Sequence, residues 1–194
     1  IVIGALRADR LVVGHDFALG NGREGDAAWL AARIPTEVVP PFELDGERVS
    51  STLVRAVIGD GDVERAARLL GRPFAIRGVV VAGKRLGRTI GFPTANLARS
   101  IPGVEPKNGV YAGWAETVRG RFRAAINVGV RPTVNGDART IEPYLVDYPG
   151  DSLYGTEVRL ELHRRLRDET KFASLQALKA RLAEDVALAR TIPA

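Results

Sequence analysis

The stretch GKRLGRTIGFPTANL, Gly83 to Leu97, decides how this chain is read. It follows a strand-like apolar run and packs glycines, cations and oxygen-bearing side chains into one short segment. Glycines let backbone N–H groups approach phosphate oxygens closely. Lys84, Arg85 and Arg88 supply positive charge, while Thr94 and Asn96, two apart on an extended chain, point the same way and offer oxygen ligands of the kind Mg²⁺ takes. The segment reads as a nucleotide-phosphate site. Gly78 to Lys84 also satisfies G-x-x-x-x-G-K, but Arg85 stands where a P-loop needs Ser or Thr, and the intervening VVVA is strand-like, so that match is set aside. Taken alone, the glycine run reads equally well as a hairpin with a long basic turn.

The rest of the chain supplies the context. Its 194 residues, 45% hydrophobic, suffice for two small cores, and it has no apolar stretch long enough for a membrane helix. The absence of cysteine excludes disulfides and thiolate metal sites and suits a cytoplasmic protein. Without methionine, and opening inside a strand-like run, the sequence is expected to be N-terminally incomplete. Residues 1 to 70 hold 8 Lys+Arg against 11 Asp+Glu, whereas residues 71 to 194 hold 20 against 12. The acidic first part and basic second part suggest two domains, 1–70 and 71–194, the second suited to a phosphate-rich partner.

The first part has an α/β pattern. A strand is expected over Arg10 to Val13, a helix over Asp26 to Ile34, and loop or edge strand over Pro35 to Arg48. A helix should begin near Ser50 to Thr52, and Asp62 should cap another that stops at Gly71. From Phe74 the period becomes that of strands. Phe74–Ala82, Val110–Val118, Phe122–Val128, Ile141–Val146 and Thr156–Leu166 are expected to form a small antiparallel barrel or sandwich. In the last of these Val158, Leu160 and Leu162 should face inward and His163 outward, to solvent or a neighbouring charge. A C-terminal helix from Ser174, with Leu175, Leu178, Leu182 and Val186 as its apolar stripe, should pack across the barrel. The overall class is therefore α+β, an antiparallel barrel with a C-terminal helix preceded by a partial α/β domain.

GFPTANL, with NGVYAGW (Asn108 to Trp114), INVGVRPTV (Ile126 to Val134), IEPYLVD (Ile141 to Asp147), LYG (Leu153 to Gly155) and LRDETKF (Leu166 to Phe172), resembles the riboflavin kinase family, whose fold is a Greek-key barrel. The resemblance runs in order from Leu70 to Asp185. The preceding VVGHDFALGNGREGD (Val12 to Asp26) and VSSTLVR (Val49 to Arg55) resemble the later part of a bacterial FMN adenylyltransferase domain, Rossmann-like in fold. The two in tandem resemble the bacterial bifunctional FAD synthetases.

The resemblance implies transfer of the γ-phosphoryl of ATP to riboflavin, giving FMN and ADP with Mg²⁺ as cofactor. It implies that Gly83, Arg88, Thr94 and Asn96 bind ATP, Thr94 and Asn96 also holding the metal, with Pro93 restricting the backbone before them. Glu142 falls at the catalytic-base position, although Pro143 directly after it removes a backbone donor and argues for an edge or bulge. Arg167, Thr170 and Phe172 correspond to the flavin-side flap, Phe172 serving either the flavin or the core. Ser50, Ser51, Thr52 and Arg55 match the adenylyltransferase S-S-T-x-x-R signature at a helix start suited to anions. Asp16 and Phe17 match its D-F pair. The early H-x-G-H motif of that domain does not occur in these residues, and neither His15 nor His163 sits in such a pattern. FAD formation is thus expected of the full-length protein and not of this chain. Left bland, Glu142 is a surface strand glutamate and Arg88 a solvated cation. Rival classes are a basic barrel that binds nucleic acid, disfavoured because the aromatics are scattered, and a flavin-binding module without catalysis, disfavoured by Glu142. Small-molecule substrates are expected, with no nucleic acid or membrane partner, and an unpaired strand edge near Val12 invites self-association.

Overall fold

The computed structural model describes residue 5 and residues 7–83, 91–99, 103–133, 136–150 and 152–193. The chain divides into two compact units, Ile1–Ser50 and Ser51–Ala194.

In the first unit β1 (Leu11–Gly14) pairs in parallel with β4 (Thr36–Val39). Between them lie β2 (Ala18–Leu19), β3 (Gly25–Asp26) and α1 (Ala27–Ala31), a short strand–helix–strand connection. The Asp26 carboxylate starts α1 by accepting from the Trp29 N–H at 2.8 Å, as an N-cap does. Strands β5 (Glu43–Leu44) and β6 (Glu47–Arg48) make a small hairpin, so the proline-rich stretch is edge strand and loop as expected.

The second unit opens with α2 (Ser51–Asp60) and α3 (Val63–Leu70). Asp62 caps α3 by accepting from the Arg65 N–H at 2.9 Å, and Gly71 ends it at φ 67, a conformation glycine adopts without steric cost. Val63, fully buried, belongs to the barrel core. The helix pair therefore packs with the barrel, and the compact units meet at residues 50 and 51 instead of 70 and 71.

The barrel is a six-stranded antiparallel sheet made of β7 (Phe74–Val81), β8 (Asn96–Arg99), β9 (Gly109–Thr117), β10 (Gly120–Thr133), β11 (Gly136–Leu145) and β12 (Glu157–Arg167), in the order β11-β10-β9-β12-β7-β8. Five were legible as strand-like runs. The sixth, β8, begins inside GFPTANL, whose Gly91 and Pro93 suggest a loop. The two ends of the sheet approach one another: Thr94 forms a bridge with Tyr144, and the Ala95 N–H donates to the Pro143 carbonyl at 3.0 Å. Pro143 thus sits on the terminal strand, as its missing N–H predicts. Gly78 faces the Ala98 carbonyl so closely that an added Cβ would lie 2.5 Å from it, which lets β7 and β8 close tightly.

Inside the barrel Ile76, Ile126, Val128, Ile141, Val158, Leu160 and Leu162 make the main core. An outer layer of Ala112, Trp114, Ala125, Val146, Ala189 and Ile192 packs α4 (Leu175–Arg190) against β9 and β10. Ser174 caps this helix through the Ala177 N–H at 3.1 Å. The expected leucine stripe is only partly right. Leu175 is exposed, and the side turned to the barrel centres on Asp185 and Ala189 with Val186 beside them. The helix is anchored by a buried charge, which a purely apolar template cannot anticipate.

Candidate functional site

Closure of the barrel is what assembles the site. The bridge itself places Thr94 alongside Tyr144, and just before it Phe92 packs its ring on Tyr144 at 5.5 Å between centroids. Asn96 starts β8 opposite Val81, and Gly83 follows two residues on. A Cβ on Gly83 would fall inside the Asn96 side-chain amide, so only glycine leaves that amide its place. Gly83, Thr94 and Asn96 thereby gather at the seam, next to the strand that carries Glu142. Lys84, Arg85 and Arg88 lie outside the described residues.

Glu142 is half-buried. Ile141, Pro143 and Leu145 turn inward, whereas Tyr144 and Val146 turn to the outer layer, so strand alternation puts Glu142 on the outer face. It stands opposite Asn127 of β10. The same alternation turns Ala125, Asn127 and Gly129 outward. Ala125 lies under α4, and Gly129 lies under the side chain of Glu169, whose carboxylate occupies the space a Cβ there would need. The Asn127–Glu142 pair therefore forms a stretch of floor between α4 and the flap that follows β12.

The flap is tied down by charge. Arg167 donates from Nε to both oxygens of Asp185 at 3.0 and 3.1 Å and from Nη2 to one of them at 2.7 Å, while Nη1 donates to the Asp168 carbonyl at 3.0 Å. Asp185 is fully buried. The guanidinium expected to face flavin is thus committed to the C-terminal helix, and it also lies 5.7 Å from the Phe172 ring. Phe172 is half-buried and Thr170 exposed. Asn108 joins flap to barrel: its amide donates to Glu169 at 3.1 Å, and its oxygen accepts from Arg139 at 2.6 Å.

Farther along β12, Glu161 is buried among Arg159, Arg121 and His163, at 2.5, 3.0 and 3.4 Å. Burial pushes its carboxyl up, but the hydrogen bonds from these three outweigh that and hold it below the ordinary range. His163 points outward to a neighbouring charge, as alternation predicts. A cavity of about 620 Å³ bounded by Arg72, Phe74, Arg77, Arg99, Glu116 and Arg159 opens at the other end of these strands, away from Glu142.

Ser51, Thr52 and Arg55 are exposed on the first turns of α2, and Ser50 is the last residue of the first unit. Asp16 pairs with Arg48 at 2.8 Å, and this hydrogen bond lowers its carboxyl pKa. Asp16 and Phe17 line a cavity of about 360 Å³ with His15 and Arg23. Sequence reasoning missed Asn108, Asn127, Glu169 and Asp185. Asn108, Asn127 and Glu169 lie within the family-like motifs, and for Asn127 strand parity was available as a signal; the Asp185 pairing was not.

Among the described residues, no group of three or more His, Asp or Glu side chains gathers as a metal cage. That is compatible with Mg²⁺, which keeps several waters and is held by one or two protein groups together with substrate phosphates. Thr94 and the glycine-cradled Asn96 are donors of that type.

Comparison with known proteins gives a consistent answer. The riboflavin kinase family model matches residues 70–193. The bifunctional riboflavin kinase/FMN adenylyltransferase of Pseudomonas fluorescens is 41% identical over 200 residues, covering 100% of this chain and 64% of that protein. The Escherichia coli K12 protein of the same name is 41% identical over 199 residues, covering 98% and 62%. The chain thus spans just under two thirds of the length of these relatives. A crystal structure described as a macrolide-efflux protein from Streptococcus pneumoniae superposes with a TM-score of 0.89 at 36% identity, over 98% of this chain and 63% of that one. No helix among the described residues is long and apolar enough to cross a membrane. With motifs, barrel and relatives in agreement, this chain belongs to the riboflavin kinase family.

Proposed function

We propose that the chain phosphorylates the terminal hydroxyl of the riboflavin ribityl chain from Mg²⁺-ATP, using the seam of the barrel as its active site. The observation that supports this reading is the stitching of Thr94 and Ala95 onto Pro143 and Tyr144, in the strand that carries Glu142. Gly83 and Asn96 approach the ATP phosphates, and Arg88 contributes charge from the same glycine-rich run. Thr94 and Asn96 would hold Mg²⁺ together with phosphate oxygens and water, and the ion would supply charge neutralisation at the transferred group. Glu142 orients the accepting hydroxyl and takes its proton as the oxygen bonds to the γ-phosphorus and the bond to the ADP oxygen breaks. Arg167, Thr170 and Phe172 form the flavin side, Arg167 by fixing the flap through Asp185.

Residues 71–194 then act as the kinase domain, and residues 1–70 as the C-terminal part of an FMN adenylyltransferase domain. Ser50, Ser51, Thr52 and Arg55 serve ATP phosphates in that second activity, which belongs to the full-length protein. A cytoplasmic protein with small-molecule substrates and no nucleic-acid partner completes the proposal. The test is to incubate the chain with riboflavin and ATP and follow FMN and ADP by chromatography, with and without chelator. One ADP per FMN, abolished by EDTA, is expected; ATP hydrolysis without FMN would refute it.

A further inference from the structure

Glu169 is exposed in the flap, yet its carboxylate is held from two sides. Asn108 donates to one oxygen at 3.1 Å, and the other rests on Gly129, where the missing Cβ makes room. Asn108 is itself oriented: its oxygen accepts from Arg139, which also donates to the Pro106 carbonyl and pairs with Glu105 at 3.2 Å. This chain of contacts, Glu105 to Arg139 to Asn108 to Glu169, preorganises a negative charge on the outer face of β10. That is the face on which Glu142 stands. Asn127 is opposite Glu142 and Gly129 opposite Thr140, so Glu169 covers the position diagonal to Glu142, roughly 7–8 Å away in an antiparallel pair.

An ionised carboxylate accepts hydrogen bonds only, and adjacent hydroxyls of a polyol are well matched donors to its two oxygens. We propose that Glu169 binds the secondary hydroxyls of the ribityl chain and so determines which flavins are accepted while the terminal hydroxyl rests at Glu142. The inference deepens the kinase reading and rests on it. The flavin ring offers a lone N–H donor among carbonyl and ring-nitrogen acceptors, whereas the chain that links it to the reacting oxygen carries adjacent hydroxyls that can donate to both carboxylate oxygens. Glu169 thus sets alignment of the acceptor along the floor between α4 and the flap.

The test compares riboflavin with its ω-hydroxypentyl analogue, which keeps the terminal hydroxyl and lacks the secondary ones, by flavin fluorescence quenching and by phosphorylation. Hydrogen bonds to a charged group have the strength to make Glu169→Gln weaken riboflavin binding about 10–100-fold. The analogue's affinity should change less than about threefold, and the KM for ATP should stay put. Gly129→Ala, which displaces the Glu169 carboxylate with no positive-φ strain, should give the same selective loss. Equal losses for both flavins, no loss with either, or a wild type that binds the two flavins alike would overturn the proposal. A wild type that forms no FMN from riboflavin would instead sink the kinase reading.

Discussion

Replacing Asp185 by Asn should be among the most damaging single changes to the stability of the second unit. Asp185 is 0% exposed, and the Arg167 side chain that grips it is 13% exposed. The change keeps the shape and removes the charge, leaving the guanidinium enclosed with neutral acceptors, one amide oxygen and the Asp168 carbonyl, in place of a carboxylate. Removing one partner of a buried pair costs about 3–5 kcal/mol, because the other charge stays desolvated. In a unit of this size each kcal/mol moves the melting temperature by about 2–4 °C, so a fall near 10 °C is expected. The assay is a thermal melt of the ligand-free chain, followed by circular dichroism and checked by urea unfolding, since bound flavin or nucleotide would mask the loss by mass action. The double variant Arg167→Met with Asp185→Leu should recover most of that fall, since replacing both ions by apolar groups is often neutral or stabilising. A melting temperature within about 2 °C of wild type for Asp185→Asn, or a double variant no better than the single, would show that the buried pair does not anchor the helix.

Thr94→Ala and Asn96→Ala should raise the KM for Mg²⁺-ATP while leaving the apoprotein's melting temperature near wild type; a large drop in melting temperature would mark them as structural. Gly83→Ala drives a methyl into the Asn96 amide and should copy the Asn96→Ala kinetics. Because the Glu161 carboxyl is depressed by its arginine and histidine partners, the stability it contributes is present above the unfolded carboxylate range and is lost as pH falls through the lower folded value. Urea melts of Glu161→Gln between about pH 5 and pH 3 should therefore show a shallower acid loss than wild type, and an unchanged slope would exclude Glu161 as a source of it.

Much of the barrel could be read from period-two alternation, since Val158, Leu160 and Leu162 must be buried together if the strand exists at all. β8 escaped because Pro93 and Gly91 mask a short strand, whose burial comes from pairing with β7 and not from its own pattern. The candidate site was legible as types: glycines, a Thr-x-Asn pair and a carboxylate. Its assembly was not, because the Thr94–Tyr144 bridge joins residues far apart in sequence. Arg167 shows the same limit from the other side. Its motif suggested a place on the flavin side, and only the fold reveals the aspartate on α4 that takes its guanidinium. The helix stripe was misjudged for that reason too, since an apolar template passes over a buried Asp.

Glu142 is the residue proposed to do chemistry at the barrel seam. Steady-state FMN formation by Glu142→Gln, with the KM for ATP determined alongside, tests that role most directly. Turnover should fall by about 10²–10⁴-fold with ATP affinity nearly intact, the usual effect of removing a positioned base. Turnover close to wild type would contradict it.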